Sequence, residues 1–178
     1  MHGRPGRQAD DTLYQIPFGC IFSAAIASAT FGIASSAIDR YREVLPTRVS
    51  AGGIVGKSDP FQQEALAEVE ADLDAGVSHV DAMIAAWLDQ LAEGHPISKG
   101  QRLVFRRNQV RAVQRVLYGV DKLFARAGAA SVWTNRPLER HWRDLRTAGA
   151  HICNTADAIH LAASSYSLGE ENAAFAMY

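Results

Sequence analysis

Apolar positions recur at steps of three and four over most of this chain, the period of a helix with one buried face. Leu66, Val69, Leu73, Val77, Val80, Ile84, Trp87 and Leu91 form one such stripe. Leu103, Val110, Val113, Leu117, Val120 and Phe124 form another, and Leu138, Trp142, Leu145, Ile152, Ala156, Ile159 and Ala163 a looser third. The earliest run is different in kind. From Phe18 to Ile38 it carries no charge and mixes Ala, Ser, Gly and Thr with scattered Phe and Ile. No segment reads convincingly as a strand, and no internal repeat is present.

Prolines, glycines and small polar residues punctuate these runs. Pro17 suits an early helical position and Pro46 a stop. Ser58-Asp59-Pro60 offers two caps and a first-turn proline. Gly94 and Pro96 end the second helix, and Ser98-Lys99-Gly100-Gln101 has the form of a capping box. Gly128 suits a C-terminal cap, and Pro137 starts the last run. The spacing predicts helices over 16–45, 60–93, 98–127 and 137–168, within a domain at 13–169. A polar segment over 1–12 precedes it and a tail over 170–178 comes after it. The glycines at 52, 53 and 56 read as a mobile loop. Each helix of roughly 30 residues spans about 45 Å. Short connections make neighbours antiparallel, so the predicted fold is all-α, an antiparallel four-helix bundle. Apolar surface left on the first helix predicts further burial against another domain or subunit.

Composition narrows the function classes. The 178 residues suffice for one domain with a real core. Lys and Arg number 18 against 19 Asp and Glu, which disfavours a dedicated nucleic-acid binder. Cys20 and Cys153 form no Cys-x-x-Cys pair, which suits a reducing compartment and a cytoplasmic location. Met1 to Asp11 lacks the apolar core of a secretory signal. The uncharged first helix is long enough to span a bilayer, but its small polar residues and plain flanks predict burial inside protein instead.

Few motifs point to chemistry. Arg107, Arg111 and Arg115 line one face of the third helix. They either meet phosphates or pair with the acidic second helix, which carries Glu64, Glu68, Glu70, Asp72 and Asp74. Asp157-x-x-His160 is a single copy of a carboxylate–histidine pair, so no metal site is expected. No Gly-x-Ser-x-Gly or phosphate-binding glycine loop occurs. The fourth helix is richest: His141, Asp144, Ala148, His151 and Thr155 fall along one side at helical spacing. A histidine there is either a general base in an apolar cleft or a satisfied core residue.

Pro137 to His151, with Arg143-Asp144 followed by His151, resembles the C-terminal helical domain of the acyl-CoA dehydrogenase superfamily. Leu13-Tyr14-Gln15-Ile16-Pro17-Phe18 looks like the approach to that domain's first helix, and Phe31-Gly32-Ile33-Ala34 and Ala37-Ile38-Asp39 like its continuation. The likeness covers nearly the whole chain. Within the superfamily it is closest to the two-component, reduced-flavin-dependent monooxygenases. That group includes the oxygenase component of hydroxyphenylacetate hydroxylase and the 3-hydroxy-seco-androstatrienedione hydroxylase. Dehydrogenases of the superfamily commonly carry a catalytic glutamate after the Arg-Asp pair. Here that stretch reads Ile152-Cys153-Asn154-Thr155, without a carboxylate, and His151 resembles the monooxygenases' active-site histidine.

The resemblance implies an oxygenase that uses reduced flavin (FMN or FAD) and O2 on an aromatic or heteroatom substrate. His151 would act as base or hydrogen-bond partner, with Trp133, His141, Asp144 and Thr155 as cleft residues. It also implies a flavin reductase as partner, a homotetramer, and no membrane or nucleic acid. Family members are roughly twice as long, with an N-terminal helical domain and a β-domain ahead of the bundle. The chain is therefore expected to be a fragment or one part of a split enzyme, inactive alone. The alternatives are an acyl-CoA dehydrogenase-like oxidoreductase domain and a non-catalytic bundle for oligomerisation.

Overall fold

Prolines and side-chain caps set the helix ends much as the punctuation predicts. The computed structural model describes residues 12–170, so nearly all of the expected tail and of the polar N-terminal segment lies outside the described residues. Five α-helices occur among them: α1 (Phe18–Val44), α2 (Pro60–Ala92), α3 (Lys99–Ala127), α4 (Pro137–Gly149) and α5 (Asp157–Ser167). Asp59 caps α2, accepting the Phe61 N–H at 2.9 Å. Ser98 and Gln101 form the full capping box of α3. Gly128 ends α3 with φ of 92°, a left-handed backbone that disfavours other residues. The glycine loop after α1 closes through a single antiparallel bridge between Val49 and Val55.

The first three helices are long, and α1 is their common partner, packing on α2, α3 and α4. Its buried row is Cys20, Ala24, Ala27, Phe31, Ala34, Ile38 and Tyr41, at steps of four and three. Small residues in that row let neighbouring backbones come close. The outward positions are also small: Ala25, Ser28, Ala29, Gly32 and Ser35. By length and composition alone α1 could cross a membrane, yet it lies against three other helices.

Two glycines index the long helices against each other. A Cβ on Gly119 of α3 would stand 2.5 Å from Val69 Cγ2 of α2. A Cβ on Gly76 of α2 would stand 2.8 Å from Phe31 Cζ of α1. Each glycine is a hole filled by the facing side chain. Val77, expected in the α2 stripe, is exposed instead, because Phe31 enters at Gly76 beside it.

Charge pairs run along the outside of the α2–α3 seam. Arg115 meets Asp72 at 2.5 Å, and Lys122 reaches Glu64 at 2.9 Å and Glu68 at 2.5 Å. The acidic start of α2 therefore neutralises part of α3, as one of the two expectations had it. Glu68 and Glu64 hydrogen-bond the Lys122 ammonium and hold its pKa above the usual lysine value.

The fourth predicted helix, 137–168, is not continuous. It breaks at His151–Ala156 into α4, a 3-10 turn over Ile152–Asn154, and α5. His151 adopts an extended backbone, with φ −63° and ψ 141°. Asn154 donates to the Ala148 carbonyl at 2.9 Å, a second donor to an acceptor that also takes the His151 backbone N–H at 3.2 Å. The break rotates the chain beyond α4 out of the helical register. Ile152, expected in the buried stripe, is 69% exposed, while Cys153 and Asn154 turn inward.

Candidate functional site

The turn between α4 and α5 is held by buried polar groups drawn from three elements. Asn154 donates to Thr30 Oγ1 on α1 at 3.0 Å and accepts from Gln109 Nε2 on α3 at 3.1 Å. Arg106, only 1% exposed, donates to the Cys153 carbonyl at 3.0 Å and also to Gln109 Oε1. Thr30 gives its own proton to the Ile26 carbonyl. Buried polar groups are costly unless bonded, so this network fixes one conformation of the turn. Burial lowers the Arg106 pKa, with the two nearby cysteines opposing that shift. Burial also pushes the Cys20 thiol up to about 11 against the pull of Arg106 and Arg102, and raises Cys153 in the same sense. Both thiols therefore stay protonated near neutral pH and are poor nucleophiles.

His151 opens this turn. Its Nδ1 accepts the Cys153 backbone N–H at 3.2 Å. A backbone N–H can only donate, so the neutral ring must carry its proton on Nε2. The ring stands edge-on to Phe22, with centroids 6.0 Å apart, and Phe22 stacks on Phe18 at 5.3 Å. Phe18 is 70% exposed. An aromatic row thus runs from the N-terminal turn of α1 to His151. The exposed Thr155 lies beside it, its hydroxyl donating to the His151 carbonyl at 3.5 Å.

The other expected residues do not join this cluster. Asp144 sits on α4 and pairs with Arg140 at 3.5 Å. His141 is half-buried on the same helix, and Trp133 is 58% exposed before it. No hydrogen bond, ion pair or ring contact among the described residues connects these three to His151. The helix break removes the single face on which the spacing aligned His141, Asp144, His151 and Thr155. Sequence reasoning missed Phe22 and the supporting Thr30, Arg106, Gln109 and Asn154. A cue was present in Gly149 followed by Asn154-Thr155-Ala156-Asp157, residue types that favour a helix stop and restart.

Among the described residues, this cluster forms one wall. It offers the stacked Phe18 and Phe22 rings with the His151 ring set at an angle to Phe22, an N–H donor at His151 Nε2 and the Thr155 hydroxyl.

The chain is similar to several known proteins. Residues 24–156 match the family described as acyl-CoA dehydrogenase, C-terminal domain. The flavin-dependent monooxygenase oxygenase subunit HsaA of Rhodococcus jostii (strain RHA1) is 32% identical over 160 residues, covering 89% of this chain and 41% of that protein. The oxygenase component of p-hydroxyphenylacetate 3-hydroxylase from Acinetobacter baumannii is 32% identical over 151 residues, covering 82% and 35% respectively. The crystal structure of 3-HSA hydroxylase from Rhodococcus sp. RHA1 superposes with a TM-score of 0.81 at 30% identity, covering 89% of this chain and 42% of its own. The chain thus spans about two fifths of the length of the relatives it matches.

Proposed function

Because this chain belongs to the acyl-CoA dehydrogenase C-terminal domain family, we propose that it is the C-terminal bundle of a flavin-dependent monooxygenase. One observation carries this reading: similarity to flavin-dependent oxygenases extends over 89% of the chain. The turn supports it, since Ile152-Cys153-Asn154-Thr155 has no carboxylate to abstract a substrate proton. Reduced flavin, FMN or FAD, supplies the electrons that let O2 place one oxygen atom on an aromatic or heteroatom substrate and one in water. A flavin reductase provides it. The remaining domains, on the same or another chain, close over the His151 wall, and the assembly is a cytoplasmic homotetramer. Thr155 then lines the cleft beside His151, and a cleft role for Trp133, His141 and Asp144 rests on the resemblance alone.

In this reading His151 acts as a hydrogen-bond donor through Nε2. The only lone pair of its neutral ring is already engaged by the Cys153 N–H, so it is a poor base as it stands. Donors set against developing negative charge are worth about a hundredfold or more in rate.

The test is oxygenation of phenolic substrates by the bundle completed with its missing domains. His151→Ala should lower hydroxylated product by about 100-fold, whereas His151→Gln, which keeps an N–H donor, should stay within about tenfold of the parent. Equal losses in both variants would restore the base role. Bleaching of oxidised flavin by acyl-CoA thioesters, without hydroxylation, would replace the oxygenase reading with a dehydrogenase.

A further inference from the structure

The arginine row on α3 is only partly neutralised. Arg115 closes on Asp72, but Arg107 and Arg111 form no ion pair among the described residues. Both line a groove of about 460 Å³ between α3 and α5. The two helices run antiparallel there, with Tyr166 against Gly100 at one end and Ile159 clustered with Val110 at the other. Across the groove α5 presents His160, Ser164 and Ser167, and Asn108 completes the polar lining.

The lining is rich in donors and holds no carboxylate. Asp157, one turn before His160, does not line it. Arg107 Nε donates to Asn108 Oδ1 at 3.0 Å, which leaves the terminal nitrogens of Arg107 and the amide NH2 of Asn108 for another partner. Ser167 gives its O–H to the Ser164 carbonyl at 2.7 Å, so Ser164 is the hydroxyl donor that remains. Two guanidinium groups four residues apart on one helix repel each other, and an anion between them relieves that repulsion. The C-terminal end of α5 opposes an anion by about half a charge, less than the two full charges facing it. Guanidinium forks match the oxygens of a phosphate group, and the groove has room for more than one phosphate.

We propose that the α3–α5 groove binds a phosphate group, free or carried by a small metabolite, through Arg107, Arg111 and His160. The site is separate from the His151 wall and does not depend on the flavin reading.

Titration of the isotope-labelled chain at constant ionic strength tests it, with inorganic phosphate in one arm and ADP in the other. Saturable shifts confined to α3 and α5 are expected in NMR spectra. The double variant Arg107→Gln/Arg111→Gln should weaken binding by about tenfold or more, while Arg40→Gln, at a surface cation on α1, should not. Tighter binding of ADP than of phosphate supports a carried phosphate, and equal binding a free one. Non-saturating shifts, or equal affinity in the double variant, overturn the proposal. So does binding of an acidic peptide where neither phosphate nor ADP binds, since the groove would then be covered by an acidic protein segment.

Discussion

The α2–α3 seam and the turn between α4 and α5 both rely on polar side chains, in opposite ways. On the seam most of the charges lie outside, several pairs run in parallel, and water can replace all of these partners except at the buried Asp72. At the turn the polar groups lie inside, and each has few alternatives. Exposed ion pairs contribute little because solvent screens them and long side chains must be ordered to make them. Buried partners contribute through the cost of losing one, since the others are left without a bond. The seam should therefore be tolerant in its charges and the turn intolerant in its amides.

The sharpest way to break that contrast is Asn154→Ala. It strands Gln109 Nε2 and takes the donor away from Thr30 Oγ1 in a buried site, and should cost about 3 kcal/mol in urea unfolding. A loss under about 1 kcal/mol would mean that the turn is held by packing alone. Gly119→Ala comes next, because it asks whether the seam depends on shape. The added methyl collides with Val69 and should cost about 2 kcal/mol, with little change at the turn. Arg115→Gln is the mildest. Asp72 is nearly buried but Arg115 is half exposed, so the loss should stay near 1 kcal/mol or less and shrink further in high salt. A larger effect from Arg115 than from Gly119 would invert the comparison.

The same contrast explains what could be read from the chain. Helices α1 to α3 were legible because their signals are local and repeated. A buried position every three or four residues, a proline and a cap are each visible within a short window. Even the pairing of acidic α2 with basic α3 could be anticipated, as two complementary charge runs. The break after Gly149 left only a weak local cue in its glycine and the small polar residues beyond, because the partners that fix it are distant in sequence. Thr30 lies 124 residues from Asn154, and Gln109 lies 45 from it. Nothing near Asn154 states that those partners exist. A continuous helical period carries Ile152 into the core, while the bonded turn puts it in solvent. His151 stands out by its place in the fourth run and by resemblance, but its hydrogen-bonding state does not, since that rests on a single backbone N–H two residues ahead.

The glycine holes reach further than local packing. Val69 in the hole at Gly119 and Phe31 in the hole at Gly76 act like teeth in a rack, fixing how far each helix lies along its neighbour. A slide of one turn, about 5.4 Å, would unseat both at once. Phe22 stands on the same helix as Phe31, and Gln109 on the same helix as Gly119. The spacing between the aromatic row and the His151 turn is therefore set by fittings located elsewhere on those helices. Whatever closes over that wall meets a surface of fixed gauge, and must match it rather than mould it.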